Sequence, residues 1–312
     1  MTEKYGDERK TRIAYGASDE LSIEDMVPDE SILVTITSRG FIKRMPPREF
    51  RAQRRGGKGV IGQGMRDEDE IEHLFSTRSL KPILFFSDKG KVYSQKAYRI
   101  PAARRTDKGV SLHNILPLES KERITAAVPV PNFDDAEYCT MVTRNGKIKR
   151  VSLSEFKSVR PSGLIAIGLG PDDELGWVHL TVDKQHIIII TEQGQALRFN
   201  SSLVRSMGRP AAGVKAINLR RGDRISGMVT VTEDGELLVV TANGYGKRTA
   251  MGAYNPKGRA TMGVATFSRK AVAKITGPIV AVRSVHPDDQ ITIISANAVS
   301  YTHLRAHETR HD

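Results

Sequence analysis

The sequence is poor in the features that most secreted, membrane and cofactor-using proteins need. It has one cysteine, Cys139, in 312 residues, so no internal disulfide forms and a reducing, cytoplasmic compartment is expected. Cys139 lies in the apolar run Tyr138-Cys139-Thr140-Met141-Val142, where packing is expected rather than reactivity. No stretch approaches the roughly 18 consecutive apolar residues of a membrane span. The N-terminus is polar and charged, without the apolar segment of a secretory signal. Aromatics make up 6% of the chain, and the single tryptophan, Trp177, reads as a core residue. Amphipathic helices are lacking across residues 31–299, and the best helix candidate is the short stretch Glu3–Ile13. No Gly-Lys pair is followed by Ser or Thr, which excludes the common phosphate loop. His307-Glu308-Thr309-Arg310-His311 has the spacing of a zinc-protease motif, with His303 one turn before it. It stands one residue from the C-terminus, apart from any expected cleft or buried helix. No catalytic residue, metal site or cofactor is therefore expected.

Positive charge is plentiful but unevenly spread. The chain carries a net +12. Residues 1–30 sum to −5 and residues 300–312 to zero, leaving +17 on residues 31–299. A basic body behind an acidic leader fits a polyanionic partner, with simple solubility as the plain alternative.

That basic body repeats. Apolar, β-rich runs recur at Ile32–Ile36, Ile83–Phe86, Cys139–Val142, Ile187–Ile190, Leu237–Val240 and Ile291–Ile294. Five of them lead into a polar turn closed by Gly40, Gly90, Gly146, Gly194 or Gly244, and then a second strand. Strand, glycine turn and strand make a β-hairpin. A second glycine precedes an apolar residue in each unit: Gly59-Val60, Gly109-Val110, Gly163-Leu164, Gly213-Val214 and Gly263-Val264. The offsets between the two glycines are 19, 19, 17, 19 and 19 residues. A hairpin alone cannot bury both faces, so such units stack. A period near 50 residues with about four short strands reads as a propeller blade. The acidic clusters Asp67-Glu68-Asp69-Glu70 and Asp172-Asp173-Glu174 then read as solvated loops between blades.

The stretch before each second glycine is basic. In the first unit it is Gln53-Arg54-Arg55-Gly56-Gly57-Lys58-Gly59. These seven residues resemble the box that marks the C-terminal domains of DNA gyrase A proteins. Leu116-Pro117-Leu118-Glu119, Glu122-Arg123-Ile124 and Asn243-Gly244-Tyr245-Gly246-Lys247-Arg248-Thr249 are similar to that family too. The resemblance runs from about Tyr5 to Val299. It implies an all-β fold, a six-bladed, propeller-like β-pinwheel with a distinctive strand exchange between blades. It also implies wrapping of double-stranded DNA around a basic rim, so that a type II topoisomerase supercoils in one direction. The implied partners are DNA, the gyrase A cleavage core and the gyrase B protein, in the bacterial cytoplasm and associated with the nucleoid. A degenerate box would have favoured topoisomerase IV.

Blades are expected near residues 31–80, 81–130, 137–183, 185–233 and 235–285. A sixth is expected to be truncated at 286–299, because Ala296-Asn297-Ala298 lacks the turn glycine. Residues 1–30 read as a linker from the absent cleavage core, and residues 300–312 as a foreign, disordered tail.

The residues account for DNA binding in their own right. Lys and Arg neutralise phosphates and release counterions, while glycines let the backbone come close and offer its N–H groups. Nothing in the spacing reads base edges, so positioning contacts are expected. Beyond the box, the candidate rim residues are Arg104, Arg105, Lys108, Arg160, Arg205, Arg209, Lys257 and Arg259. The hairpin residues Lys43, Arg44, Lys149, Arg150, Lys247 and Arg248 are weaker candidates, with a solvated strand face as the alternative. A propeller that contacts proteins is the competing reading.

Overall fold

The computed structural model describes residues 23–49, 69–134, 138–289, 292–294 and 300–302. The seven-residue box, the predicted helix Glu3–Ile13 and the histidine motif at 307–311 lie outside the described residues.

The strands follow the repeat. Unit one supplies β1 (Ser31–Thr37), β2 (Phe41–Met45) and β3 (Ile71–Arg78). Unit two supplies β4 (Pro82–Ser87), β5 (Lys91–Lys96), β6 (Val110–Ser111) and β7 (Ile124–Pro129). Unit three gives β8 (Tyr138–Thr143), β9 (Lys147–Ser152), β10 (Leu164–Ile165) and β11 (Leu175–Thr181). Unit four gives β12 (His186–Thr191), β13 (Gln195–Asn200), β14 (Val214–Lys215) and β15 (Ile225–Thr230). Unit five gives β16 (Glu236–Thr241), β17 (Gly246–Ala250), β18 (Val264–Ala265) and β19 (Ile279–Val285).

Units and blades are not the same thing. The sheets run β3-β1-β2-β6, β7-β4-β5-β10, β11-β8-β9-β14, β15-β12-β13-β18 and β19-β16-β17. All pairs within them are antiparallel. Each unit from two to five therefore keeps three strands and lends its short strand to the outer edge of the preceding blade. The strand exchange implied by the resemblance is this one. Blade five lacks a fourth strand among the described residues, and its edge β17 carries Gly246, Lys247 and Arg248, residue types that discourage edge pairing. A truncated sixth blade is not formed there either. Instead β20 (Thr292–Ile294) pairs with β21 (Ser300–Thr302) in a two-stranded ribbon that joins residues on both sides of the boundary expected at 299.

The core lies between blades, and this explains the unbroken apolar runs. Successive side chains of a strand point to opposite faces. In β12, Ile187 and Ile189 pack into the seam between blades three and four, while Ile188 and Ile190 pack into the seam between four and five. In β4, Phe85 and Ile83 face blade one, and Leu84 and Phe86 face blade three. A strand covered on both faces reads as continuous rather than alternating. Phe86 meets Phe156 edge-to-face, centroids 6.0 Å apart. Cys139 is fully buried in the seam between blades two and three, and burial pushes its thiol pKa up. Trp177 is only half-buried, with Arg144 stacked 5.4 Å from its ring centre.

The turn glycines have the conformation the hairpins need. Gly146 stands at φ 82 and its N–H donates to the Thr143 carbonyl at 3.1 Å. The Thr143 hydroxyl also accepts from the Lys147 N–H at 3.1 Å. Ser or Thr precedes every turn glycine by three residues, and in units one to four its hydroxyl accepts the N–H that follows the glycine.

The acidic clusters are not simply solvated loops. Asp173 accepts the Asn145 N–H at 3.0 Å, Asp223 accepts the Gln193 N–H at 3.0 Å, and Asp69 accepts the Arg39 N–H at 3.1 Å. Each carboxylate caps the hairpin turn of its own blade, and Asp69 is only 5% exposed. An aspartate two residues before the inner strand therefore has a structural task that its acidic neighbours had obscured. A second departure is the helical stretch Arg269–Thr276 in unit five, where the sequence showed no convincing helix.

The inner strands β3, β7, β11, β15 and β19 contact one another in that order around an axis. His73 of β3 and His179 of β11 are desolvated there and also face the positive charge of Arg283 on β19. Both effects lower their pKa to about 4. An unfolded histidine titrates near 6.5. Between those values the unfolded chain takes up protons that the folded chain refuses. The stability these sites contribute is complete above about pH 6.5 and is lost as pH falls towards 4. Melting at pH 7 and pH 4.5 is expected to show a larger drop for the natural chain than for His179→Gln.

Candidate nucleic-acid interface

The basic stretches belong to the crossing segments, which carry the chain from one blade to the outer edge of the blade before it. The second glycine marks where that crossing touches the earlier blade. At Gly213 φ is 78, and a β-carbon would lie 2.6 Å from the Ile148 carbonyl oxygen. At Gly109 φ is 85, with the Ile42 carbonyl at the same 2.6 Å. Only glycine fits both the backbone conformation and the approach.

Basic residues of the second hairpin strands hold these crossings in place. The Lys43 ammonium donates to the carbonyls of Arg104, Arg105 and Asp107 at 3.1, 2.7 and 2.7 Å. Lys149 donates to the carbonyls of Ala166, at 2.8 Å, and Arg209. Lys43 is 1% exposed and Lys149 fully buried, and desolvation pulls both down to about 8. Arg44 donates to the Ile100 carbonyl at 2.7 Å. Arg150 is 4% exposed, stacks 3.9 Å over Tyr138 and pairs with Asp183 at 3.3 Å. Lys247 donates to the Thr266 carbonyl at 3.4 Å, and Arg248 pairs with Glu236 at 2.7 Å. In blade two Tyr93 takes the lysine's place and bonds Glu122 at 3.0 Å. Lys247 is exposed and Arg44 and Arg248 are half-buried, while Lys43, Lys149 and Arg150 are buried and do not lie on a solvated strand face. The buried residues are internal latches, because a short outer strand makes too few ladder bonds to hold itself.

In units three and four the residues just past the lent strand also bond the next unit's crossing segment. The Gly168 N–H donates to the Ala211 carbonyl at 3.1 Å, the Ala260 N–H to Ala216 at 2.7 Å, and the Asn218 N–H to Thr261 at 2.9 Å. The crossing segments form a belt around the outer edges of the blades.

The structure divides the rim candidates. Arg104, Lys108, Arg160, Arg205 and Lys257 are exposed on the belt. Arg104 and Lys108 sit at the edge of blade one, Arg160 at blade two, Arg205 at blade three and Lys257 at blade four, following the lent strands. Lys108 lies 3.7 Å over the ring of Phe41, which orients it. Arg105, Arg209 and Arg259 are half-buried. Arg209 pairs with Glu155 at 3.5 Å, and Arg259 donates to the Lys215 carbonyl. The box residues Gln53, Arg54, Arg55, Gly56, Gly57, Lys58 and Gly59 lie outside the described residues. Exposed Arg99 and Lys215 were missed in the sequence, since neither lies in a glycine-flanked basic run. Lys96 and Lys157 are already paired with Glu24 and Asp134, at 3.2 and 3.0 Å.

Comparison with known proteins agrees with this architecture. A family described as "DNA gyrase C-terminal domain, beta-propeller" matches residues 31–78, 81–131, 137–179, 185–232 and 235–276. The DNA gyrase A protein of Escherichia coli (strain K12) is 39% identical over 292 residues, 94% of this chain and 33% of the relative. Its counterpart from Staphylococcus epidermidis is 37% identical over 311 residues, 99% of this chain and 34% of the relative. The chain thus spans about a third of the length of these relatives. The solved structure of a DNA gyrase A C-terminal domain superimposes with a TM-score of 0.73 at 28% identity, covering 88% of this chain and 89% of that one. A C-terminal domain of DNA topoisomerase IV gives 0.68 at 29% identity, covering 89% and 84%. Five matched repeats, the lent-strand sheets and the gyrase A relatives place this chain in the family of DNA gyrase A C-terminal domains.

Proposed function

We propose that this chain binds double-stranded DNA without reading its sequence and wraps it in one sense around the belt of crossing segments. The observation that carries the reading is the recurrence of an exposed cation at the outer edge of each of blades one to four, on segments that hydrogen bonds link from unit three to unit five. Curving 20–30 base pairs by 40–90° costs on the order of 1–6 kcal/mol. One loop cannot offset that over a long wrap, whereas successive contacts along a curved track can. The box, next to a second glycine in unit one, adds a further group of phosphate contacts. Within a whole gyrase at the bacterial nucleoid, with its cleavage core and B protein, the wrap presents a DNA segment with a fixed crossing sign and makes supercoiling directional. The domain contributes geometry to that reaction, not bond chemistry.

The test is ligation of nicked circular DNA with increasing protein, followed by deproteinisation and measurement of linking number. The natural chain is expected to shift it in one direction. Arg54→Ala/Arg55→Ala/Lys58→Ala is expected to lose most of the shift. Replacing Arg104, Arg160, Arg205 and Lys257 together by Ala is expected to flatten the dependence of log K on log salt by about 3 to 4 and weaken binding by on the order of 10³. Binding without a salt slope would instead favour a propeller that contacts proteins.

A further inference from the structure

We propose that the corner loops of units four and five form a second phosphate-binding surface, continuous with the belt, that draws the DNA towards one face of the domain and inclines its path. This rests on the wrapping reading above. A corner is the segment between a unit's lent strand and its inner strand. Corners lie on the face that carries the hairpin turns, because they bond those turns directly. The Arg144 N–H donates to the Glu174 carbonyl at 2.9 Å, Glu192 to Arg224 at 2.8 Å, and Asn243 to Thr276 at 3.1 Å. Corners also abut the belt, through the bonds from Gly168 to Ala211 and from Asn218 to Thr261.

Charge changes sign from corner to corner. Residues 116–122 hold Glu119 and Glu122 against Lys121, and residues 168–174 hold Asp172, Asp173 and Glu174 with no cation. Residues 218–224 hold three arginines against Asp223, and residues 267–277 hold Arg269, Lys270 and Lys274 with no acid. With Arg123, which directly precedes β7 as Arg224 precedes β15, the net charges run 0, −3, +2 and +3.

The pairing pattern sharpens the contrast. Cations beside the corners of units two and three are engaged. Lys89 pairs with Glu119 at 3.1 Å, and Lys91 pairs with the same carboxylate. Arg123 reaches Asp88 at 3.5 Å and Glu174 at 3.7 Å, and Arg144 reaches Glu174 at 3.5 Å. The basic corners have no such carboxylates. Arg221, Arg269, Lys270 and Lys274 are exposed and form no ion pair among the described residues. Asp223 is 6% exposed and turned inward onto the Gln193 and Arg224 N–H groups, so it does not cover the surface charge. The unit-five corner is held firmly. Ser268 caps its helical stretch by accepting the Ala271 N–H at 3.1 Å, and the Asn243 amide donates to the Ile275 carbonyl at 2.7 Å.

A belt with even charge gives a path with no preferred tilt. Attraction towards this face at units four and five, and repulsion from it at unit three, displace the DNA along the ring axis as it turns. Rotation combined with such a displacement is a helix of one hand. Screening confines the effect to about 10 Å at 0.1 M salt, so it acts on DNA already seated on the belt.

Full-length chains carrying Arg220→Glu/Arg221→Glu, or Arg269→Glu/Lys270→Glu/Lys274→Glu, test this, with Gln versions in parallel and melting curves to confirm folding. At saturating protein the expected result is a salt slope reduced by about 2 to 3 and a linking-number shift at least halved. An unchanged salt slope overturns the corner contact, and a reduced slope with an intact shift overturns the inclination. A natural chain that binds DNA but never shifts linking number removes the wrapping reading instead, and the salt slope alone then decides the corner contact.

Discussion

Gly213→Val is expected to destabilise the domain by roughly 3–5 kcal/mol and to release the crossing segment from the edge of blade three. Two costs combine. A β-branched residue at φ 78 is strained by on the order of 1–3 kcal/mol. Its β-carbon would also stand 2.6 Å from the Ile148 carbonyl oxygen, with the Ile148 carbonyl carbon at 3.1 Å and the Lys149 β-carbon at 3.2 Å. Those atoms belong to β9, a strand paired on both sides, so they cannot retreat as an exposed side chain would. Forcing the contact costs a further 1–3 kcal/mol or so. Chemical denaturation reads the loss, and hydrogen exchange locates it at Val214–Asn218. Gly222→Ala makes a useful comparison, since nothing lies within 4 Å of that glycine at a similar φ of 73. It is expected to cost about 1 kcal/mol. Equal losses at the two sites would mean that backbone strain, not the approach between blades, explains the second glycine.

Lys149→Met is expected to cost roughly 1–3 kcal/mol although it removes a buried charge and keeps the chain length. The ammonium serves the Ala166 and Arg209 carbonyls, which belong to the unit-three corner and the unit-four crossing segment. Methionine fills the space but leaves them without that donor, and orphaned buried acceptors carry a penalty of about 1–3 kcal/mol. The relief of lysine desolvation offsets part of it. The pH dependence separates the two effects. The folded pKa of Lys149 is about 8, against about 10.4 for an unfolded lysine. Between those values the unfolded chain binds the extra proton, so the penalty of burying the charge is full below pH 8 and fades as pH rises. The natural chain is therefore expected to gain stability relative to Lys149→Met between pH 8 and 10. A constant difference across that range would show that Lys149 acts only by filling volume.

The glycines were more legible than the lysines for a physical reason. A turn glycine and a crossing glycine are each required by local geometry that repeats with the unit, so their 19-residue offset appeared in the one-dimensional pattern. Lys43 and Lys149 looked like surface residues because charge is usually found at the surface. Their acceptors are main-chain carbonyls 17 to 64 residues away, and carbonyls leave no trace in composition. Asp173 misled in the same way: two acidic neighbours marked the site as solvated, while its carboxylate was capping a turn.

The rim candidates show the same boundary. Their place in the repeat was readable, and Arg104, Lys108, Arg160, Arg205 and Lys257 are exposed as that place implied. Arg105, Arg209 and Arg259 share the same stretches but are half-buried, two of them engaged with Glu155 and Lys215. Sequence alone determined the repeat, the hairpins, the glycine positions, the basic segments and the absence of a phosphate-loop motif. These follow from short-range sterics and a fixed period, which a chain displays in order. Tertiary structure decided that each short strand belongs to the previous blade, that both faces of the central strands are covered, and which cations are latches and which reach solvent. Those outcomes depend on which distant backbone comes within about 3 Å of a side chain, and only the closed packing of neighbouring blades sets that.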